Sequence, residues 1–143
     1  MHVGRFERGK VIMARLDYGT DIVEGICEVA RSAGIKTGVF SAIGALQRAE
    51  VGYYDQETHE YHGNVIDQPM ELVSCSGNIS IRDGTPLIHV HAALADRDGT
   101  LVGGHLQSGT IFAAEVCVQD LEGDFLVREH DPTTDLFLWG GPD

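Results

Sequence analysis

One segment of the chain, residues 20–34, has the apolar spacing of an α-helix. Thr20 or Asp21 can cap its N-terminus, and Gly34 can end it. The apolar residues between these ends recur at helical intervals and form a single stripe: Ile22, Val23, Ile26, Cys27, Ala30 and Ala33. A helix with one apolar stripe has to cover a larger apolar surface. The fold therefore depends on what the rest of the chain provides as that surface.

Almost all of the remaining sequence has the pattern of β-strands. Short apolar or alternating segments, separated by turn-forming residues, cover 10–16, 36–46, 49–55, 60–66, 70–82, a hairpin within 87–109, 110–121, 124–129 and 133–139. About eight or nine strands and one covering helix predict an α+β domain with a strongly curved, nearly closed and mainly antiparallel sheet. A chain of 143 residues has the size of one domain, which we assign to residues 1–143.

Charge and apolar content narrow the classes of partner. The net charge is −12, from 22 acidic and 10 basic residues, so the surface would repel a nucleic-acid backbone at long range. No apolar run approaches the roughly 20 residues that cross a bilayer, which predicts no membrane partner. The first ten residues, MHVGRFERGK, lack the apolar centre of a secretory signal. We therefore expect a cytoplasmic protein.

Three of the seven histidines lie in the apolar stretch LIHVHAALADRDGTLVGGHLQSG, residues 87–109. Alternation along the strand PLIHVHAAL puts His89 and His91 on one face. The turn DRDG has glycine at its fourth position, which is typical of a three-residue loop that ends in a left-handed glycine. A loop of that length sets a register in which His91 lies opposite His105.

This register gathers the three imidazoles on one face of the hairpin. Ala93 faces Gly103 beside them, which leaves room for a bound water or ligand, and His89 faces Gln107. Directly paired Cβ atoms lie about 4.5–5.5 Å apart, and residues two apart on one strand lie roughly 6.6 Å apart. Those spacings fit three nitrogens at about 2.0–2.1 Å from a single ion. The alternative is that the histidines are solvated or hydrogen-bonded side chains that bind no metal.

The predicted metal site therefore consists of His89, His91 and His105. Three histidines without a fourth protein ligand leave one coordination position open, which is the pattern of catalytic zinc sites. Neutral imidazole suits Zn²⁺, the cofactor we predict, and also copper, nickel or iron. A divalent ion there could polarise a carbonyl group or lower the pKa of a bound water.

Two further kinds of side chain are candidates for this site. Glu115 interrupts the apolar strand IFAAEVCV, and alternation places it opposite the face of Phe112, Ala114 and Val116. It could orient a ligand histidine or act as a catalytic acid or base; the alternative is a carboxylate at a subunit interface or one satisfied by backbone donors. Three tyrosines could line a pocket over the metal or serve as half-buried packing residues: Tyr53, Tyr54 and Tyr61.

Several motifs along the chain resemble one known family. They are GRFERGK…LDYGTDI, GVFSAIGAL, VGYYD…EYH, ELVSCSGNIS and, above all, HVHAALADRDGTLVGGHL followed by QSGTIFAAEV. The sequence resembles the Plants and Prokaryotes Conserved (PPC) domain family in its stand-alone prokaryotic form. The resemblance implies an α+β fold, a homotrimer and, in several members, a metal ion at positions that correspond to His89, His91 and His105. More distantly, the architecture is similar to that of acetolactate decarboxylases, which hold zinc with three histidines.

Three functions follow from these observations. The first is a homotrimeric, zinc-binding protein that binds or turns over a small carboxylate or carbonyl ligand; whether it is an enzyme stays open. The second is a DNA-associated regulator, because in plants the domain is coupled to AT-hooks and the family often carries a DNA-binding label. The chain has no RGRP core of an AT-hook, and its acidic charge disfavours this function. The third is a structural trimer in which the histidines only support the hairpin.

Overall fold

The computed structural model describes residues 1–140, which form eight strands and one helix. Their order and bounds are β1 (Phe6–Leu16), α1 (Ile22–Ser32), β2 (Gly38–Asp55), β3 (Glu60–Ile66), β4 (Met70–Arg82), β5 (Thr85–Ala95), β6 (Leu101–Gly123), β7 (Val127–Asp131) and β8 (Leu136–Gly140). The predicted strands 60–66 and 70–82 have the observed bounds. The last two strands begin later than predicted. No helix of the described residues is long and apolar enough to cross a membrane.

The strands form one sheet that curves until it meets itself. β2, β6, β5 and β4 pair in that order, and β4 pairs again with β2, so that these four strands close into a ring. β1 adds to β6, and β3 adds to β2. β7 joins β4 in the one parallel pairing among the described strands, and β8 pairs with β7. The predicted α+β fold with a curved, mainly antiparallel sheet is confirmed.

Two breaks predicted as strand ends are irregularities within long strands. The predicted strand 36–46, from residue 38 onward, and the predicted strand 49–55 are both parts of β2. Likewise, β6 joins the second arm of the hairpin to 110–121. The register of β2 against β6 shifts beside Phe112, which has no partner in the ladder and is 59% exposed. The prediction that Phe112 shares a face with the buried Ala114 and Val116 is therefore wrong, because an extra residue in one strand reverses the alternation.

Helix α1 covers one side of the curved sheet, as its apolar stripe predicts. Asp21 is its N-cap: one carboxylate oxygen accepts the backbone N–H groups of Val23 and Glu24 at 2.9 and 3.1 Å. The other oxygen accepts the N–H of Gly109 on β6 at 2.8 Å, so the cap also joins the helix to the sheet. Gly34 follows the helix with a φ of 69°, the left-handed conformation that favours glycine at this place.

The core lies between this helix and the inner face of the ring. The helix buries Ile22, Ile26 and Ala30 completely. The sheet contributes fully buried aliphatic side chains from four strands: Leu46, Leu72, Ile79, Val90, Leu94, Leu106, Ile111, Val116 and Val118. The opposite face of the ring holds the histidine-bearing positions of β5 and β6, so these side chains are not needed in the core.

Candidate metal centre

The hairpin between β5 and β6 has the predicted three-residue loop. The Asp96 N–H donates to the Thr100 carbonyl at 3.1 Å, and the Gly99 N–H donates to the Asp96 carbonyl at 3.0 Å. Gly99 has a φ of 81°. The Asp96 carboxylate accepts the N–H groups of Asp98 and Thr100, both at 2.9 Å, which stabilises this turn against alternatives. The loop length, and with it the register, is therefore set by local chemistry.

The register confirms the facing histidines. His91 pairs with His105, and Ala93 pairs with Gly103. The predicted pairing of His89 with Gln107 is wrong, because the β5–β6 ladder ends at the His91–His105 pair. Beyond it the curvature of the sheet separates the two strands, and β5 continues against β4 while β6 continues against β2. His89 still lies on the same face as His91, since alternation along one strand does not depend on the neighbour.

The three imidazoles converge. One ligand nitrogen of each ring lies within 4.8 Å of the others, and the ring centroids are 5.2, 5.3 and 5.5 Å apart. Nitrogens bound to a tetrahedral zinc ion at about 2.0–2.1 Å lie roughly 3.4 Å from each other. Rotation of the side chains about χ1 and χ2 is the movement that would bring the nitrogens to that separation. His91 is exposed and the other two are half-buried, so the group is open to solvent on one side.

Two glycines allow this convergence. A Cβ atom at Gly103 would lie 2.3 Å from the carbonyl oxygen of Ala92 on β5. A Cβ atom at Gly104 would lie 2.7 Å from the carbonyl oxygen of Gly52 on β2. Both distances are too short for any side chain. The GGH sequence therefore lets β6 fit closely between β5 and β2, which brings His105 up to His91.

Electrostatics favour the form of the histidines that binds metal. Burial, followed by smaller contributions from the nearby Arg128, His105 and His91, lowers the pKa of His89 to about 4. Burial also lowers the pKa of His105, helped by His91 and Arg128. Metal ligation requires neutral imidazole. These side chains are thus poised to bind a divalent ion, and the donor set fits the zinc predicted from the sequence.

A cavity of about 390 Å³ lies beside the histidines. His89 and His105 form part of its wall, and the ring of Tyr61 lies 5.5 Å from that of His105. The C-terminal β7–β8 hairpin forms another part of the wall and contributes Arg128 and Phe137. Cavities of this volume hold small molecules. Sequence reasoning missed Arg128, because one arginine in a short strand carries no signal of what it faces.

The structure does not place Glu115 with the histidines. It lies ten residues along β6 from His105, roughly 30 Å of extended chain. Its neighbours in the ladders are Arg15 of β1 and Ile43 of β2, and its side chain is exposed. Its catalytic role stays a prediction without a contact to the metal centre. Among the tyrosines, Tyr61 lines the cavity, Tyr54 packs on Tyr61 at 4.8 Å, and Tyr53 is 65% exposed.

The sequence and fold are similar to those of known proteins. The sequence model of the Plants and Prokaryotes Conserved domain matches residues 4–122. The chain belongs to this family. The structure of a metal-containing protein from Archaeoglobus fulgidus is 45% identical, with a TM-score of 0.95 over 99% of this chain and 100% of that one. A PPC protein from Pyrococcus horikoshii is 32% identical, with a TM-score of 0.93 over 100% and 99% of the two chains.

Two further proteins are similar to part of this chain or to its fold. The bifunctional protein GlmU of a Synechococcus strain is 32% identical to this PPC chain over 128 residues, which are 87% of this chain. Those residues are 19% of that protein, so the chain spans about a fifth of the curated relative that it matches. Acetolactate decarboxylase from Bacillus subtilis is 11% identical, with a TM-score of 0.55 over 86% of this chain and 56% of that one. That likeness confirms the predicted architecture and concerns the fold alone.

Proposed function

We propose that this chain is a cytoplasmic, homotrimeric, zinc-binding protein that binds a small carboxylate or carbonyl ligand at its three-histidine centre. The observation that carries the proposal is the convergence of His89, His91 and His105 within 4.8 Å beside a cavity of about 390 Å³. The lowered pKa values of His89 and His105 support it, because both rings are neutral at physiological pH.

The choice of zinc rests on the donor set. Three imidazoles with no carboxylate or thiolate among them suit Zn²⁺. The metal-containing protein from Archaeoglobus fulgidus, 45% identical over nearly the whole chain, supports a metal here as well. An ion held by these three ligands would have an open coordination position and would supply the chemistry of carbonyl polarisation or water activation.

The protein's own residues would orient the ligand. Tyr61 presents a phenol ring 5.5 Å from the His105 ring, at the rim of the cavity. Ile88 and Leu136 provide apolar walls that exclude water from the ligand body. His91 is exposed, so the proposed metal position is open to solvent on that side.

The proposed trimer has support on the outer face of the sheet. Several large apolar side chains of β1, β2 and β6 are exposed there, namely Met13 (69%), Phe112 (59%), Ile43 (58%) and Val11 (47%). An extended apolar surface of this kind marks a protein–protein contact in soluble proteins. We therefore expect a mass close to three times the 15.5 kDa of one chain in light scattering.

DNA binding is the less favoured function. Lys and Arg contacts to phosphate supply most non-specific affinity for DNA. This chain has 10 Lys and Arg residues against 22 Asp and Glu residues. We expect no shift of duplex DNA at moderate protein concentration in a gel assay, and a salt-sensitive shift would favour the DNA-associated function instead.

Elemental analysis of protein purified without chelators tests the proposed function. We expect about one zinc ion per chain, and a loss of nearly all of it in the His91→Ala variant. His62→Ala, an exposed histidine of β3 outside the cluster, is the matched control and should keep the metal. A zinc content below about a tenth of an ion per chain in the wild type, unchanged by His91→Ala, would refute the proposed metal site.

A further inference from the structure

Arg128, in the cavity wall beside the histidines, is held rigidly by two neighbouring strands. Its Nε donates to the Ser80 hydroxyl at 2.7 Å, and its Nη2 donates to the Asn78 side-chain oxygen at 3.0 Å, both on β4. Its Nη1 donates to the Phe137 carbonyl on β8 at 2.7 Å. The guanidinium is thus held by protein acceptors at three of its nitrogen atoms, whereas the guanidinium of a typical surface arginine is hydrated and mobile.

None of these acceptors carries a charge. A guanidinium has five N–H groups, so one on each terminal nitrogen has no partner among the described residues. No described carboxylate lies within 4.0 Å of it. Burial lowers the pKa of Arg128, which shows that its charge is partly removed from water. A half-buried cation without a counter-ion is a costly arrangement unless an anion joins it.

The one carboxylate in the described wall of this cavity already has a partner. Asp135 accepts from His130 Nε2 at 2.6 Å within the β7–β8 hairpin. A second guanidinium, that of Arg82, stacks over the Phe137 ring in the same wall, with its Cζ 3.4 Å from the ring centroid. Arg82 is already paired with Asp83 at 3.6 Å, so Arg128 is the cation of this wall that has no carboxylate partner among the described residues, in a chain whose net charge is −12. This local reversal of sign selects an anion over a neutral ligand.

We propose that Arg128 binds the carboxylate of the ligand and so makes the cavity specific for small carboxylates with an apolar body rather than for neutral carbonyl compounds. This proposal rests on the proposed function, in that the same cavity holds the ligand. The apolar body lies against Ile88 and Leu136, and the rest of the ligand faces the histidines. A bidentate guanidinium–carboxylate pair provides both strength and orientation.

The proposal also assigns ligand choice to one element. Arg128 and Leu136 belong to the β7–β8 hairpin, which lies outside residues 4–122 that match the family model. The histidines lie inside that region. The family domain thus supplies the metal ligands, while the C-terminal hairpin of this chain supplies the group that recognises the anion.

Two matched probes test the proposal: 4-methylpentanoate and the neutral 4-methylpentanamide, which have the same shape. Each is titrated by calorimetry into the whole protein, once after EDTA treatment and once loaded with zinc. In the metal-free protein we expect the carboxylate to bind at least tenfold more tightly than the amide. Equal binding of the two probes, or no carboxylate binding at about 10 mM, overturns the proposal.

Substitutions at Arg128 separate charge from folding. Arg128→Gln should weaken carboxylate binding to the metal-free protein at least tenfold, and Arg128→Lys should keep part of it, because lysine retains the charge but not the bidentate geometry. Arg97→Gln, in the β5–β6 loop with a 91% exposed side chain, is the control and should bind as the wild type does. Unchanged affinity in a folded Arg128→Gln protein overturns the proposal. Should Arg128→Gln fail to fold, Arg128→Lys and the probe pair still decide.

The titrations of the metal-free protein test the role of Arg128 separately from the proposed metal site. A protein that binds no zinc but prefers the carboxylate refutes the metal centre and supports the role of Arg128. A protein that binds zinc through its histidines but takes both probes equally well supports the metal centre and refutes the role of Arg128.

Discussion

Replacing Gly103 by alanine tests how far the metal centre depends on the close approach of β5 and β6. The added Cβ atom would lie 2.3 Å from the Ala92 carbonyl oxygen, whereas real Cβ contacts are essentially never below 3.0 Å. The two strands must therefore separate by at least about 0.7 Å. The contact is with backbone, so no flexible side chain can move aside. The strain falls two residues from His105 and opposite Ala93, next to the paired histidines.

The expected effects on stability and on metal binding have one cause. Overpacking of this kind costs about 1–3 kcal/mol, which lowers the Tm of a domain of this size by roughly 3–12 °C. Because the same displacement moves His105 away from His91, zinc affinity should fall about tenfold or more. Calorimetry gives the Tm of the metal-free protein, and competition with a coloured chelator gives the zinc affinity.

Gly25→Ala is the matched control for this experiment. Gly25 lies in α1, and the nearest atoms that a Cβ there would meet belong to the Leu16 side chain, at 3.4 Å, which is an ordinary contact. Alanine favours the helix by about 0.5–1 kcal/mol over glycine, so the Tm should stay level or rise slightly and zinc binding should not change. A Gly103→Ala protein with the Tm and zinc affinity of the wild type would refute the reasoning.

Three further predictions concern the cluster and the helix cap. Zinc at 100 times its Kd should stabilise the wild type by about 2.7 kcal/mol and leave His91→Ala unaffected in thermal melts, while a His62→Ala protein that lost this response would contradict the assignment. Because the pKa of His89 is lowered to about 4 in the folded protein, its contribution to stability is present above the unfolded value of 6.5 and is lost as the pH falls towards 4. Urea unfolding of the metal-free protein at pH 7 and pH 4.5 measures this effect. Between these pH values the wild type should lose on the order of 1–2 kcal/mol more free energy of unfolding than His89→Gln, after allowance for the partial exposure of the ring. Equal losses would exclude this role of His89. Asp21→Ala removes the acceptor of three backbone N–H groups and should lower the free energy of unfolding by about 2 kcal/mol or more in the same assay. Thr20→Ala is the control and should cost about a few tenths of a kcal/mol, because its hydroxyl donates only to the Asp17 carbonyl. Similar costs for the two variants would show that the cap does not join the helix to the sheet.

Much of the histidine cluster could be predicted from local sequence. The loop after Asp96 has a length that its own side chain and Gly99 determine, and that length alone sets His91 opposite His105. His89 follows by alternation on one strand. These relations involve neighbours in sequence or across one turn, so no knowledge of the remaining chain is needed.

Predictions of contacts that depend on a third strand or on a distant segment of the chain were wrong or were not made. Gln107 does not face His89, because the closing of the sheet turns β6 towards β2 at that point. Phe112 turns outward, because β6 needs an extra residue to follow the curve of β2. Arg128 reaches the cavity through the parallel pairing of β7 with β4, which no turn or spacing in the sequence indicates.

The sequence by itself thus determined the elements and the short-range register: the capped helix, the alternating strands, the three-residue turn and the shared face of the histidines. Only the tertiary structure decided where the long strands bend, that four of them close into a ring, and that the C-terminal hairpin brings Arg128 to the cavity beside the histidines. The physical reason is the distance along the chain over which each kind of interaction acts. Capping, alternation and turn chemistry act between residues a few positions apart, whereas curvature and closure are set by how all strands pack around one core.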